Sequence, residues 1–320
     1  MRLITATSPL PSLARSTPSS RPPVRVGLVQ HRWREDVADL VAVLRDAIGQ
    51  AAGEGAQAVF LPELTLSKYP ADTRATGAPG DHAERLLEGP TFTFAAAAAA
   101  AHGVVVHASL YERADGPDGL GFNTAFLVSP EGELLGRTRK LHIPVSAGYY
   151  EDTYFRGGPA DDAYPVHEVK ALDGARVGLP TCWDEWFPEV ARSYSLDGAE
   201  ILVYPTAIGS EPTFPHFDTQ PLWRQVIVAN GIAGGTYMVV PNRTGDEGGL
   251  TFYGSSFVSD PYGRVLAEAP RDEEAVIVTD LDLDQRKDWL DLFPFLTTRR
   301  PDTYGRLTAP VDHARPHGGS

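Results

Sequence analysis

The sequence predicts an α/β protein with a mixed sheet whose strands are covered by helices. Three observations carry that prediction. From Val24 onward, short β-type runs alternate with helical patterns; two hairpin-like units, Asn123–Thr138 and Gly254–Glu268, interrupt the alternation; and no Pro/Gly/Ser linker divides the chain. Alternation implies strands joined by covering helices, and the hairpins add antiparallel pairs to an otherwise parallel sheet.

Taken in order, the run RVGLVQ (25–30) predicts a first strand. A helix follows over 36–52, because Val37, Leu40, Val41, Leu44 and Ile48 fall on one face, and Gly53-Glu54-Gly55 stops it. AVFLPEL (58–64) is a strand, followed by a long loop, a helix holding the alanine run 95–101, and the strand VVVHASL (104–110). The two hairpins turn at Ser129-Pro130-Glu131-Gly132 and Asp260-Pro261-Tyr262-Gly263, and their similarity hints at two related halves. Between them lie RVGLPT (176–181), a helix from Pro188, EILVYP (200–205), a helix over 220–234 and TYMVVP (236–241); AVIVTDLD (275–282) closes the pattern. One domain over 24–307 is expected. Residues 1–23, rich in Ser, Pro and Arg without an acid, read as a flexible N-terminal extension, and 308–320 as a flexible C-terminal tail.

Charge and composition exclude several functions. In a chain of 320 residues, 42 acids against 28 bases leave a net charge of −14, which repels phosphate backbones and argues against nucleic acid as a partner. No run approaches the roughly 20 apolar residues of a membrane span, and the sequon at Asn242 reads as chance. Cys182 is the only cysteine, so an intrachain disulfide framework and a multi-cysteine zinc site are excluded, and a reducing, cytoplasmic location is the simplest reading. His102, His107, His142, His167 and His216 lack tight ligand spacing, and Asp280, Asp282 and Asp284 read as a solvated edge. Neither a metal nor another cofactor is expected.

Three segments can carry chemistry. Cys182 sits between a strand-like run and WDEWFPE, where a strand-to-helix turn presents a nucleophile beside free N–H groups. A lone cysteine is also a common packing residue, so position alone leaves both readings open. Glu63 follows an apolar strand and is suitably held for general-base work or for an N-cap. Lys140, just after the first hairpin, is a catalytic cation or a surface charge.

Together, PEL around Glu63, RKLHIP around Lys140 and GxxxCWDxWFPE around Cys182 resemble the nitrilase superfamily of carbon–nitrogen hydrolases, over about 24–307. The resemblance implies a four-layer α-β-β-α sandwich, a homodimer or higher homo-oligomer, and a Glu63-Lys140-Cys182 triad supported by Glu151. Tyr149-Tyr150-Glu151, CWDEWFPE (182–189) and YPTAIGSEP (204–212) are similar to the N-carbamoylputrescine amidase branch. That implies hydrolysis of an N-carbamoyl amine or related linear amide through a thioester-type intermediate, with a small, cationic substrate. The aromatic Trp183 and Trp186 would wall the pocket or pack in the core; Tyr150 is a further contact. Glu211 would pair a substrate ammonium, with Glu185 and Asp152 adding negative charge. Glu185 replaces the branch's glutamine, Asp152 its lysine, and Val228–Gly234 its QGHAxAN pattern, so the departures bear on the substrate and not on the triad. A nitrilase or ω-amidase is the nearest alternative; an acyltransferase or a catalytically idle interaction protein belongs to another class.

Overall fold

The structure, a computed structural model, describes residues 1–318. The chain runs β1 (Arg2–Ala6), β2 (Val24–Gln30), α1 (Val37–Gly53), β3 (Ala58–Phe60), α2 (Pro90–His102), β4 (Val105–Glu112), β5 (Phe122–Val128) and β6 (Leu134–Arg139). It continues through β7 (Val166–Val169), β8 (Ala175–Gly178), α3 (Pro188–Leu196), β9 (Ile201–Val203), α4 (Gln220–Gly234) and β10 (Tyr237–Val240). Last come β11 (Thr244–Asp246), β12 (Thr251–Tyr253), β13 (Phe257–Ser259), β14 (Val265–Glu268), β15 (Ala275–Leu281) and α5 (Asp284–Leu292).

Strand alternation sorts the side chains into layers. Val26 and Leu28 of β2 point into a core shared with Val177, Ile201 and Val239 of the other sheet, whereas Val29 points outward against α1 and α2. On the far side, Val190 and Tyr194 of α3 and Trp223 and Ile227 of α4 cover Leu202 and Met238. The result is the expected four-layer α-β-β-α sandwich. Gly27 lets α1 approach β2: a Cβ there would lie 2.8 Å from that of Ala51.

The hinted halves are real. The first sheet has the order β1-β15-β2-β3-β4-β5-β6 and the second β14-β13-β10-β9-β8-β7. In each, an antiparallel neighbour precedes three parallel strands, β2-β3-β4 or β8-β9-β10, followed by an antiparallel hairpin. Each hairpin carries a register shift in its first strand, at Leu127/Val128 and at Val258/Ser259. β1 has no counterpart.

The N-terminal extension departs from expectation. β1 pairs in parallel with β15. Downstream, Arg15 bridges Asp282 and Asp288, and Arg21 bridges Glu200 and Asp284. Basic residues without an acid of their own find their partners far along the chain, at Glu200 and in the acid-rich segment some 260 positions later, and Asp280, paired with Arg25, and Asp282 are buried and not a solvated edge. Residues 309–318 are exposed and carry no helix or strand, and 319–320 of the expected tail lie outside the described residues. Among the described residues no helix is long and apolar enough to cross a membrane.

Burial also fixes an acid limit on stability. His31 and His107 are fully buried, and desolvation lowers them to about 4 and about 3. Because the folded state binds these protons more weakly, the stability they confer is complete above the ordinary histidine value near 6.5 and is lost as pH falls. We expect roughly 2–3 kcal/mol per histidine to disappear between about pH 6.5 and 4.5. Urea unfolding at the two pH values tests this; equal midpoints, or no smaller difference in His107→Gln, would contradict it.

Candidate active site

Glu63, Lys140 and Cys182 follow β3, β6 and β8, so the sandwich delivers all three to one end, beyond the carboxyl ends of the strands. Lys140 is fully buried and donates to Glu63 Oε1 at 3.0 Å and to Glu151 Oε1 and Oε2 at 2.9 and 2.7 Å. Burial alone would lower the ammonium; Glu151 and then Glu63 reverse this and hold it well above the ordinary lysine value. Glu151, buried beside a second carboxylate, rises to about 7, with Lys140 opposing the rise.

Cys182 opens a short 3₁₀ turn, Cys182–Trp186, at a φ of 43°. A non-glycine residue there costs about 1–2 kcal/mol, which the surroundings must supply. Its amide donates to Pro205 C=O at 3.1 Å, the Thr181 amide donates to Asp184 Oδ2 at 3.2 Å, and the Asp184 amide donates to Thr181 C=O at 3.0 Å, closing the turn. The thiol is only 6% exposed. Burial, then the charge of Glu63, pushes it well above the usual thiol value while Lys140 pulls it down. The resting group is therefore a thiol that needs a base, and a carboxylate is at hand.

Several residues that hold this arrangement were not singled out in the sequence. Asn123 Nδ2 donates to Glu63 Oε1 at 2.7 Å and the Ala207 amide to Oε2 at 2.8 Å, aiming the carboxylate. Asp184 accepts from the amides of Thr181, Leu141 and His142, tying the segment after Lys140 to the nucleophile's turn. Tyr69 O–H donates to Glu151 at 2.8 Å. Arg243, fully buried, donates to the carbonyls of Glu63, Leu64 and Ser67 and pairs with Glu247, whose other oxygen takes the Tyr69 amide. It thereby braces Leu64, whose φ of 49° lies in the same unfavourable region. The Asn242-Arg243-Thr244 sequence was the visible signal.

The expected pocket residues fare unevenly. Trp183 and Trp186 are half-buried with ring centres 6.2 Å apart, and Trp186 also packs on the α3/α4 core. Tyr150 turns its ring under Arg74, 4.5 Å from the guanidinium carbon, while Tyr149 faces the site. Asp152 is exposed. Glu185 is fully buried, and burial followed by Glu63 raises it well above the carboxylate range, so it adds no charge at neutral pH. Asn230 Nδ2 donates to its carbonyl, supporting the nucleophile's turn.

A cleft of about 470 Å³ lies alongside, lined by Glu211, Phe217, Thr219, Phe252 and Tyr253 among others; Cys182 itself is not in its wall. Two tyrosines link cleft and thiol. Tyr253 lines the cleft and neighbours both Glu185 and Cys182. The Tyr149 hydroxyl accepts from the Gly209 amide and donates to Ser210 C=O in the cleft wall, and it feels Glu211, Cys182 and Glu151.

Comparison with known proteins agrees with this geometry. Residues 25–290 match the family model described as carbon-nitrogen hydrolase. The chain is 34% identical to the N-carbamoylputrescine amidase of Arabidopsis thaliana, over 90% of this chain and 96% of that one. It is 35% identical to the citrullinase of Francisella tularensis, over 89% and 98%. Among solved structures, a carbon-nitrogen hydrolase from Helicobacter pylori G27 superposes with a TM-score of 0.78 at 31% identity, covering 90% of this chain and 99% of that one. A mutant amidase from Nesterenkonia sp. AN1, carrying acrylamide on its active-site cysteine, gives 0.69 at 25% identity, covering 89% and 99%. With the fold, the buried acid–lysine–cysteine cluster and these likenesses in agreement, the chain belongs to the carbon–nitrogen hydrolase family of the nitrilase superfamily and is a hydrolase acting on amides.

Proposed function

We propose that the chain hydrolyses the C–N bond of an N-carbamoyl amine of the N-carbamoylputrescine type, or of a related linear amide. The observation that carries this reading is the fully buried Lys140 ammonium held between Glu63 and Glu151 beside a protonated Cys182 thiol. Glu63 takes the thiol proton as Sγ attacks the carbonyl carbon. The oxyanion forms against Lys140 and the Trp183 N–H, an amide in the first helical turn with no intrahelical acceptor. Collapse expels ammonia, which leaves with the proton returned by Glu63, and a thioester-type adduct remains on Cys182. Glu63 then takes a proton from water, which attacks that carbon; the sulfur leaves and recovers its proton from Glu63, and the carbamic acid released from an N-carbamoyl amine decomposes to carbon dioxide and the free amine, while Glu151 keeps Lys140 charged. Every step balances with water as the only co-reactant.

Trp183 and Trp186 wall the pocket, and Glu211 at the cleft pairs a substrate ammonium. The names of the two relatives favour ureido compounds. Exposed large apolar side chains such as Leu196, Leu292, Phe293 and Leu307 are compatible with a homodimer or larger homo-oligomer.

An ammonia-release panel of N-carbamoylputrescine, citrulline, a short neutral amide and a nitrile tests the reaction; release from the nitrile alone would overturn it. Glu211→Gln is expected to lower kcat/KM roughly tenfold for N-carbamoylputrescine and much less for the neutral amide. An equal loss on both would remove the ammonium pairing.

A further inference from the structure

Beside the nucleophile lies a carboxyl group that the reaction above does not use. Glu185 shares the Cys182–Trp186 turn, is fully buried, and has no protein hydrogen-bond partner on either oxygen. Its backbone is anchored by Asn230, so the side chain is placed by the turn and not by bonds of its own. Trp223 Nε1 lies against the Glu185 carboxyl and Tyr253 O–H against Thr219 Oγ1, yet none of these buried atoms is within full hydrogen-bond geometry of a partner. Trp223 and Tyr253 neighbour the Glu185 carboxyl, and Tyr253 and Thr219 reach the cleft wall. Each such group costs about 1–3 kcal/mol when left unbonded. A folded protein that gathers them between a cleft and its nucleophile has polar groups set aside for a ligand.

The surroundings decide the form of Glu185. Cys182 and Asp184 face it from its own turn, Glu63 from the segment after β3, Lys140 from the end of β6, Tyr204 after β9, Trp223 from α4 and Tyr253 from β12. Lys140 is the one cation in that set, and its bonds go to Glu63 and Glu151. An ionised Glu185 would be a buried charge without a counter-ion, so the group is a neutral acid, with a carbonyl acceptor and a hydroxyl donor in one plane.

We propose that Glu185 is a specificity-determining residue that recognises the internal N–H of a ureido substrate. Its carbonyl oxygen accepts that N–H, and its hydroxyl donates to an oxygen of the pocket or substrate; Trp223 and Tyr253 complete the polar wall. The substrate class follows. A ureide carries an N–H beside the carbon attacked by Cys182, whereas a simple amide or nitrile has a carbon there and no N–H to offer. This assignment rests on the reaction proposed above and narrows its substrate to N-carbamoyl compounds.

The test is a matched pair, N-carbamoylputrescine and 6-aminohexanamide, which differ by NH against CH2 at that position. The ratio of their kcat/KM values in each variant, referred to wild type, cancels their intrinsic reactivities. Glu185→Leu is expected to lower the ureide-to-amide ratio about 10- to 100-fold. Glu185→Gln, which keeps an acceptor, should hold the ratio within about threefold, because the N–H acceptor is retained. Glu185→Gln should also move the alkaline limb of the ureide kcat/KM profile to higher pH, since the wild-type limb contains ionisation of the acid. An unchanged ratio in Glu185→Leu, or a ratio in Glu185→Gln as low as in leucine, overturns the assignment. Should the leucine variant fail to fold by circular dichroism, an unmoved alkaline limb in Glu185→Gln overturns it equally. Cys182→Ala on the same pair separates the two claims: continued ammonia release would sink the reaction, whereas an inactive Cys182→Ala beside an unselective Glu185 result sinks only the role of Glu185.

Discussion

Cys182→Ala should bring ammonia release down by at least ~10⁴-fold, the scale on which loss of a covalent nucleophile acts. The thiol is the only sulfur nucleophile in the chain. Its backbone conformation is held by the Pro205 carbonyl and by the hydrogen bonds between Thr181 and Asp184, which alanine leaves untouched. Removing one small buried group should therefore cost little stability, so the variant should melt close to wild type and still bind substrate. Intact mass after a brief exposure to substrate should show an adduct on wild type and none on the variant. Turnover that survives the substitution would remove Cys182 from the chemistry.

Lys140→Met should damage both activity and stability, and for separate reasons. Activity should fall at least ~10²–10³-fold through loss of a cation facing the developing oxyanion. Stability should fall by about 3–5 kcal/mol, because the ammonium is the shared partner of two fully buried acids, Glu63 and Glu151. Glu63→Gln offers the contrast: it keeps an oxygen for Lys140 and Asn123 but removes the base, so activity should collapse with far less loss of stability. Denaturant midpoints alongside kcat separate the two patterns. A Lys140→Met protein as stable as wild type would show that the two carboxyl groups are already neutral without it.

The candidate catalytic residues are legible because they lie in contiguous segments. Glu63, Lys140 and Cys182 each sit in a short run with its own apolar strand or turn residues, and the strands show as near-continuous apolar runs because both faces of each sheet are covered. The supports were not legible, because their partners are remote: Asn123 meets Glu63 across 60 positions and Arg243 meets its carbonyl across 180. Asn242-Arg243-Thr244 accordingly looked like a stray sequon. Nothing in a loop sequence tells which way each of two adjacent tyrosines turns: Tyr149 bonds to Gly209 and Ser210, and Tyr150 lies under Arg74. Glu185 was counted as a charge because a sequence shows an acid but not its burial. Ser, Pro and Arg in 1–23 suggested flexibility, since the acids that pair with them are supplied from the other end of the chain.

β15 is buried along all seven of its residues, and β1 covers one of its flanks. Without β1, that flank would present a row of unpaired N–H and C=O groups beside an apolar strand, which is a template for adhesion between molecules. The opening segment thus acts on the colloidal behaviour of the protein rather than on its chemistry. Trimming it as though it were a dispensable leader puts the solution state at risk, whereas a bulky tag on Met1 would stand at the same end of the sheet as Glu63, because Arg2 is level with Ala275 and, through it, with Gln30 at the carboxyl end of β2.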